Sequence, residues 1–228
     1  MRARGLLASA VAVLALAACG GGGGASSNGV GSKSPQQIVV AVQSAIRGVK
    51  SVHVAGSIVT QGQPITLDLH LVPGQGGEGQ MTLSGLGFHL IVTGGAVYIN
   101  GTEQFWRHFG GTAGATLFKG KWLKAPDTGS FGSFAQLTNL SALFGQISNG
   151  HGVLKKGSST TINGSSAIAV TDTTKGGTLY VATTGQPYPI EIVKTGADGG
   201  KIIFDQFNQS VTLAAPKNAI DISKLQGA

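Results

Sequence analysis

Cys19 is the residue of this sequence whose surroundings best specify a chemical modification. It is the only cysteine, and it ends an apolar run, residues 6–18, that follows Arg2 and Arg4. The run is shorter than the ~20 residues that a helix needs to cross a bilayer. Positive residues, a short apolar run and small residues together are typical of a removable export signal. A cysteine at the cleavage point is the pattern of a bacterial lipoprotein signal, in which the thiol receives an acyl anchor such as palmitate.

The alternative for Cys19 is an ordinary secretory signal with a cysteine there by chance. The position of the single cysteine favours the lipoprotein pattern. A lone thiol also excludes a framework of internal disulfides. We therefore expect an exported protein on the outer face of the cell membrane, held by its N-terminal acyl anchor.

Side chains that could perform catalysis have no supporting motif. There is no G-x-S-x-G nucleophile elbow, and although Asp68, Glu191 and Asp205 could meet in space as a carboxylate pair, nothing local favours it. Residues 74–79 match G-x-G-x-x-G, but an apparent strand follows, so no helix N-terminus is offered to a pyrophosphate. The sequence predicts a protein that is not an enzyme and has no cofactor.

The charged and metal-ligating residues are scattered. The five histidines, none of which has zinc-binding spacing or a nearby cysteine, are His53, His70, His89, His108 and His151. We therefore predict no metal site. The formal net charge is +7, but the lysines form no run interleaved with aromatic residues, so nucleic-acid binding is not expected. Diffuse basicity suits anionic lipid headgroups or simply a basic surface.

The chain divides into three parts by composition. Residues 1–18 form the signal peptide, and residues 19–33 form a lipidated linker rich in Gly and Ser. Residues 34–228 form the folded domain. Its first element is a helix, because Ser34, Pro35 and Gln37 make a capping box with proline at N1, and because Ile38, Val42 and Ile46 follow at helical spacing.

After this helix the apolar residues alternate, which predicts strands. Gly-Gly pairs at 94–95, 176–177 and 199–200 separate apolar runs and supply the positive φ that hairpin turns require, so the strands are antiparallel. A second helix is predicted around residues 134–147. The Gly-rich segment 101–126 is expected to be an irregular loop with one strand around Trp122.

Covering the apolar strands poses a physical problem. Several strands are apolar on both faces, and two helices, each ~10 Å wide, cannot cover a sheet of about ten strands at ~4.8 Å spacing unless the sheet curls around them. A sheet that curls in this way leaves a gap lined by apolar side chains. Either an apolar ligand or other side chains of the protein must fill this gap. A well-packed sandwich or small barrel without a cavity is the alternative, and the pattern does not choose between them.

The sequence resembles the LppX/LprA/LprF/LprG-type lipoproteins of actinobacteria, whose fold is similar to that of the LolA/LolB carriers. The segments that carry the resemblance are residues 16–19, 97–101 with Phe105-Trp106, 120–124, 177–181, 186–189 and 215–216. The resemblance implies an α+β fold, an open, strongly curved antiparallel β half-barrel with helices packed on its concave face. It also implies a lipid or glycolipid ligand held between sheet and helices and carried across the cell envelope.

Of the functional positions, only Cys19 transfers from the family as a motif. For the wall of the cavity we predict nine residues from the helices and sheet: Ile38, Val42, Ile46, Leu67, Leu69, Phe88, Leu90, Leu140 and Phe144. A monomer is expected. The competing hypothesis is a non-enzymatic interaction module of the cell envelope, with a filled core and a partner protein on its surface.

Overall fold

The computed structural model describes residues 26–224, so Cys19 and the predicted signal peptide lie outside the described residues. The helices are α1 (Pro35–Arg47), α2 (Glu103–Phe118), α3 (Gly132–Leu137) and α4 (Leu140–Asn149). The strands are β1 (Val52–Thr60), β2 (Gln63–Val72), β3 (Gly76–Leu83), β4 (Leu86–Thr93), β5 (Ala96–Gly101), β6 (Leu123–Pro126), β7 (Leu154–Ile162), β8 (Ser165–Asp172), β9 (Thr178–Ala182), β10 (Pro189–Lys194), β11 (Gly200–Asp205) and β12 (Ile220–Asp221).

The 12 strands of the described residues form one open sheet in the order β12-β6-β5-β4-β3-β2-β1-β11-β10-β9-β8-β7. The short strand β12 runs parallel to β6, and the other pairings within residues 26–224 are antiparallel. One buried cluster joins α1 to inward-facing residues from β6 near one edge and β8 near the other. These residues form one continuous buried layer on the sheet face that carries the helices. The predicted fold class is confirmed.

Helix α1 forms where its capping signals predict. The Ser34 hydroxyl accepts a hydrogen bond from the Gln37 N–H at 3.3 Å, and the Gln37 side chain accepts one from the Ser34 N–H at 3.0 Å. This reciprocal pair satisfies two N–H groups that the start of a helix leaves without partners. The apolar stripe of α1 is buried in the core, and the helix contacts α4 and strand β7.

The prediction of an irregular loop over residues 101–126 was wrong, although its one strand is present as β6. Helix α2 begins where the Thr102 hydroxyl accepts a hydrogen bond from the Phe105 N–H at 3.2 Å. It bends at Gly111, whose φ of 61° and ψ of −160° are not helical. Only glycine adopts this conformation without strain, so the glycines that suggested a loop produce a kinked helix instead.

The second predicted helix is divided in two. Helix α3 ends at Leu137, and the Asn139 side chain accepts a hydrogen bond from the Ala142 N–H at 3.0 Å, which caps the start of α4. Asparagine at this position favours a new helix start over continuation of the first helix. The three Gly-Gly pairs connect β4 to β5, β8 to β9 and β10 to β11, as predicted.

Part of the segment that composition assigns to the linker lies against the body. Ser27 forms an isolated bridge with Thr184, and the Asn28 side chain donates to the Ala182 carbonyl oxygen at 3.0 Å. Val30 is only 1% exposed. The Lys156 ammonium on the edge strand β7 donates to the carbonyl oxygens of Gly31 and Lys33, so residues 27–33 are held at several points.

Among the described helices, none has both the length and the apolar character needed to span a bilayer.

Candidate functional site

The predicted wall residues lie together on the sheet face that carries the helices. Eight of them belong to the buried core, with exposures from 0% to 5%, namely Ile38, Val42, Ile46, Leu69, Phe88, Leu90, Leu140 and Phe144. Leu67 is partly buried and packs against the same core. The structure therefore brings all nine to one side of the sheet. At their own positions, however, these side chains pack against one another and against other core residues.

An apolar cavity of about 340 Å³ lies nearby, between α2, α3 and strands β5 and β6; we call it the α2 cavity. Its lining residues are Ile99, Phe105, Trp106, Phe109, Gly110, Phe118, Leu123, Ser130, Phe131 and Phe134. None of the predicted wall residues is among them. Phe88 lies directly behind the lining, because its ring centre is 4.9 Å from that of Phe105 and 5.7 Å from that of Phe134.

The cap at the start of α2 positions the aromatic lining. Phe105 packs on Gly101, where a Cβ atom would meet the Phe105 ring at 2.3 Å, so glycine is needed for this approach. Phe105 and Trp106 contact edge to face at 4.9 Å, and the Trp106 ring lies 4.8 Å from that of Phe118. Rings in these arrangements attract one another beyond the effect of burial, so they form an ordered wall.

Trp106 carries an unusual polar group for this apolar lining. Its side chain is buried, and the indole Nε1 has no hydrogen-bond partner within residues 26–224. A buried donor without a partner costs about 1–3 kcal/mol, so native proteins satisfy almost all such groups. A ligand with an acceptor oxygen is one way to satisfy it.

The outer part of helix α2 leaves apolar side chains in solvent. Phe109 lines the cavity and is 56% exposed, and Leu117 on the same helix is 41% exposed. Large apolar side chains exposed beside an apolar cavity are typical of the entrance to a site for an apolar ligand, or of a surface that binds another protein. The Gly111 kink lies between these two residues, where the helix bends.

A second cavity of about 230 Å³ lies under the other half of the sheet, where β8, β9 and β10 contribute to its lining. It is smaller and includes Asp172 and Lys175. The backbone N–H groups of Lys175 and Gly152 lower the pKa of Asp172, which keeps it charged. A small cavity bordered by charges suits an acyl chain less well than the α2 cavity does.

The opposite face of the sheet holds a cluster that the sequence reasoning missed. His53 hydrogen bonds through Nδ1 to Asp205 at 2.6 Å and through Nε2 to Asp68 at 3.0 Å. Its ring stacks on that of His70 with centres 4.7 Å apart. Burial alone would lower the pKa of His53, but the hydrogen bonds to Asp205 and Asp68 outweigh it and raise the pKa above its usual value.

The sequence contained signals both for the start of helix α2 and for the cluster around His53. Thr102 followed by Glu103, with Arg107 four residues later, is a helix-start pattern that the glycines obscured. Asp68 and His70 are two residues apart on a strand and so share a face. Their relation to His53 depends on strand pairing, which the sequence alone does not provide.

Comparisons with known proteins agree with this architecture. No family profile and no curated protein sequence matches the chain. Among solved structures, LprF from Mycobacterium bovis matches with a TM-score of 0.54 and 16% identity over 80% of this chain and 96% of LprF. The Mycobacterium tuberculosis lipoprotein LppX matches with a TM-score of 0.53 and 16% identity over 79% of this chain and 98% of LppX.

This chain has the fold of LprF and LppX. The resemblance expected from the sequence is thus confirmed for the fold, and at 16% identity the fold is all that these matches establish. Any function beyond the fold must be argued from the cavities and surfaces of this chain.

Proposed function

We propose that this protein is a membrane-anchored lipoprotein that binds the acyl part of a lipid or glycolipid in the α2 cavity and carries it within the cell envelope. The cavity is the observation that carries the proposal, because its volume of about 340 Å³ lies within the range of ligand sites, which begins at about 300 Å³. Six of its ten lining residues are aromatic, and none is charged. This lining excludes polar substrates and suits hydrocarbon.

The volume suits a single acyl chain. A methylene group occupies roughly the volume of a water molecule, about 30 Å³, so the cavity has room for about eleven methylenes. Moving that length of chain from a membrane into water costs about 9 kcal/mol, at ~0.8 kcal/mol per methylene. An apolar cavity removes part of this barrier to transfer.

The anchor is proposed at Cys19, with the protein on the outer face of the cell membrane. One acyl chain gives only marginal membrane binding, and two give stable binding. We expect Cys19→Ser to move the protein from the membrane fraction to the soluble extracytoplasmic fraction. Retention in membranes after a high-salt wash would contradict the anchor if the mass of the variant shows that residues 1–18 have been removed.

A second candidate function is a protein interaction module. The close packing of the predicted wall residues favours it, since side chains that fill the interior leave no room for a ligand at those positions. The exposed Phe109 and Leu117 would then contact the partner. Under this alternative the α2 cavity holds no lipid.

Gly110 offers a direct test. It lines the α2 cavity, and a Cβ atom placed on it meets no atom within 4 Å. A side chain at Gly110 starts at the cavity lining, so Gly110→Trp is expected to narrow the cavity or its mouth. Gly31→Trp is the matched control, because a Cβ there also meets nothing within 4 Å and Gly31 does not line the cavity.

The measurement is native mass spectrometry of each protein purified in mild detergent from the organism's own membranes. We expect lipid to accompany the wild type and Gly31→Trp, and at least a tenfold lower bound fraction for Gly110→Trp. The absence of lipid from the wild type, together with a stoichiometric protein partner, would favour the interaction module. Equal lipid in all three would place the ligand outside the α2 cavity.

A further inference from the structure

The cluster on the sheet face opposite the helices has the arrangement of a metal centre. His53 lies on β1, Asp68 and His70 lie on β2, and Asp205 lies on β11. His53 is directly opposite His70 in one strand pairing and directly opposite Asp205 in the other. Residues directly opposite each other project to the same face, and Asp68 shares it as the residue two before His70.

The potential ligand atoms are already close. One atom each from His53, Asp68 and His70 lie within 4.8 Å of one another. Zinc bonds of about 2.0–2.2 Å to nitrogen and oxygen in a tetrahedron place ligands about 3.3 Å apart. The His53 Nε2 and Asp68 Oδ1 atoms are 3.0 Å apart, close to that separation. The longest of the three separations therefore exceeds the tetrahedral value by at most about 1.5 Å.

Asp205 completes the arrangement. Its carboxylate accepts from the Nδ1–H of His53 at 2.6 Å, so a cation that displaces the proton shared by Nε2 and Asp68 meets a ring whose orientation is already fixed. A carboxylate behind a ligating histidine fixes the ring orientation and tautomer and makes the ligand more basic. This position of Asp205 distinguishes the cluster from a chance meeting of surface side chains.

The surrounding charges favour a cation. Glu78 on β3 is directly opposite His70, which adds a third carboxylate to this part of the face. Lys201, which shares the face of β11 with Asp205, is paired with Glu191 at 2.5 Å and so does not neutralise the cluster. The chain as a whole is basic, but the charged side chains around this cluster are mainly acidic.

We propose that His53, Asp68 and His70 form a binding site for a divalent transition-metal ion, with Asp205 as the residue that orients His53. Two imidazoles and one carboxylate suit Zn²⁺, and a water molecule takes the fourth position of the tetrahedron. The site lies on the face away from the α2 cavity, so it does not depend on lipid binding.

The test is a calorimetric titration of the full-length protein, purified in detergent and stripped with a chelator, with zinc chloride alone. We expect one Zn²⁺ per chain. His70→Ala and Asp68→Asn each remove a ligand and should weaken binding at least tenfold. Asp205→Asn should weaken it by about 10–100-fold, the usual effect of losing the residue behind a ligand. His108→Ala, on α2, is the matched control and should leave the affinity unchanged.

Two further measurements keep the result interpretable. Thermal unfolding without zinc identifies any variant that fails to fold, and Co²⁺ bound to the wild type should give the strong visible absorption of a four-coordinate site. Absence of stoichiometric binding to the wild type overturns the proposal. So does equal zinc affinity in folded His70→Ala and Asp68→Asn. Neither result bears on the lipid proposal, which is tested at Gly110.

Discussion

Replacing Trp106 with phenylalanine tests whether the unpartnered indole N–H serves a ligand. The change removes three heavy atoms from a side chain that is only 5% exposed. At ~0.8 kcal/mol per buried carbon, the lost burial costs about 2 kcal/mol. Removing a buried donor that has no partner returns about 1–3 kcal/mol. The two effects nearly cancel, so we expect the free energy of unfolding of the lipid-free protein to change by no more than about 1 kcal/mol.

The lipid-bound protein should respond differently. If the N–H donates to an acceptor oxygen of the lipid, the variant loses a hydrogen bond worth about 0.5–1.5 kcal/mol, which weakens lipid binding about twofold to twelvefold. Urea unfolding of delipidated protein measures the first effect, and titration with a fluorescent fatty acid measures the second. The combination of unchanged stability and weaker binding is the expected signature.

Phe204→Leu is the control for Trp106→Phe. Phe204 is also 5% exposed and packs on the Phe144 ring at 5.1 Å, and it does not line the α2 cavity. The change removes three heavy atoms without removing a polar group, so we expect a loss of about 2 kcal/mol or more in stability and unchanged lipid affinity. If Trp106→Phe costs as much as this control and leaves lipid affinity intact, the N–H has no ligand role and the reasoning is refuted.

Three other predictions concern the fold. Leu90→Ala should reduce the free energy of unfolding in urea by about 2–5 kcal/mol, because Leu90 is fully buried; a loss below about 1 kcal/mol would mean that Leu90 borders a cavity. Ser34→Ala should cost about 1 kcal/mol through loss of the α1 cap, with Ser34→Thr as the conservative control, and no change in the thermal midpoint would contradict this. The hydroxyl of Ser223 and the ammonium of Lys124 lower the pKa of Asp221 from 3.8 to about 2, so Asp221 stabilises the fold above pH 3.8 and loses this effect as the pH falls towards 2. The difference in thermal midpoint between wild type and Asp221→Asn should therefore shrink from pH 5 to pH 2, and a constant difference would show that the carboxylate charge is not involved.

Local signals in the sequence were sufficient for several elements. The Ser34 capping box, proline and apolar stripe predict α1 because all three act within a few residues of one another. The Gly-Gly pairs predict hairpins because residues other than glycine rarely adopt positive φ angles, and both glycines of 94–95 and of 176–177 do adopt them. The prediction of a loop over residues 101–118 was wrong because glycine is rare inside helices. In this helix the Thr102 cap and the aromatic packing outweigh the loss of helix stability caused by the glycines.

The candidate sites were less accessible to sequence reasoning. Alternation separates the two faces of β2 and β4 without saying which one lines a cavity, and the residues chosen there, including Leu69 and Leu90, lie under the helices. Whether such a face packs solidly or leaves space depends on the positions of α2 and α3 over the sheet, and these follow from tertiary packing. The histidine cluster depends on the pairing of β1 with β2 and β11, which joins residues about 15 and 152 positions apart.

The chain already contacts the folded body at Ser27, and this limits how far the body can lie from an anchor at Cys19. Ser27 is already bridged to Thr184, so only eight peptide steps separate Cys19 from the body. Even fully extended, eight residues span no more than about 28 Å. If Cys19 carries the proposed acyl chains, the segment after β9 at Thr184 stays within roughly one bilayer thickness of the lipid surface. A lipid bound in the α2 cavity must then be handed on close to the membrane.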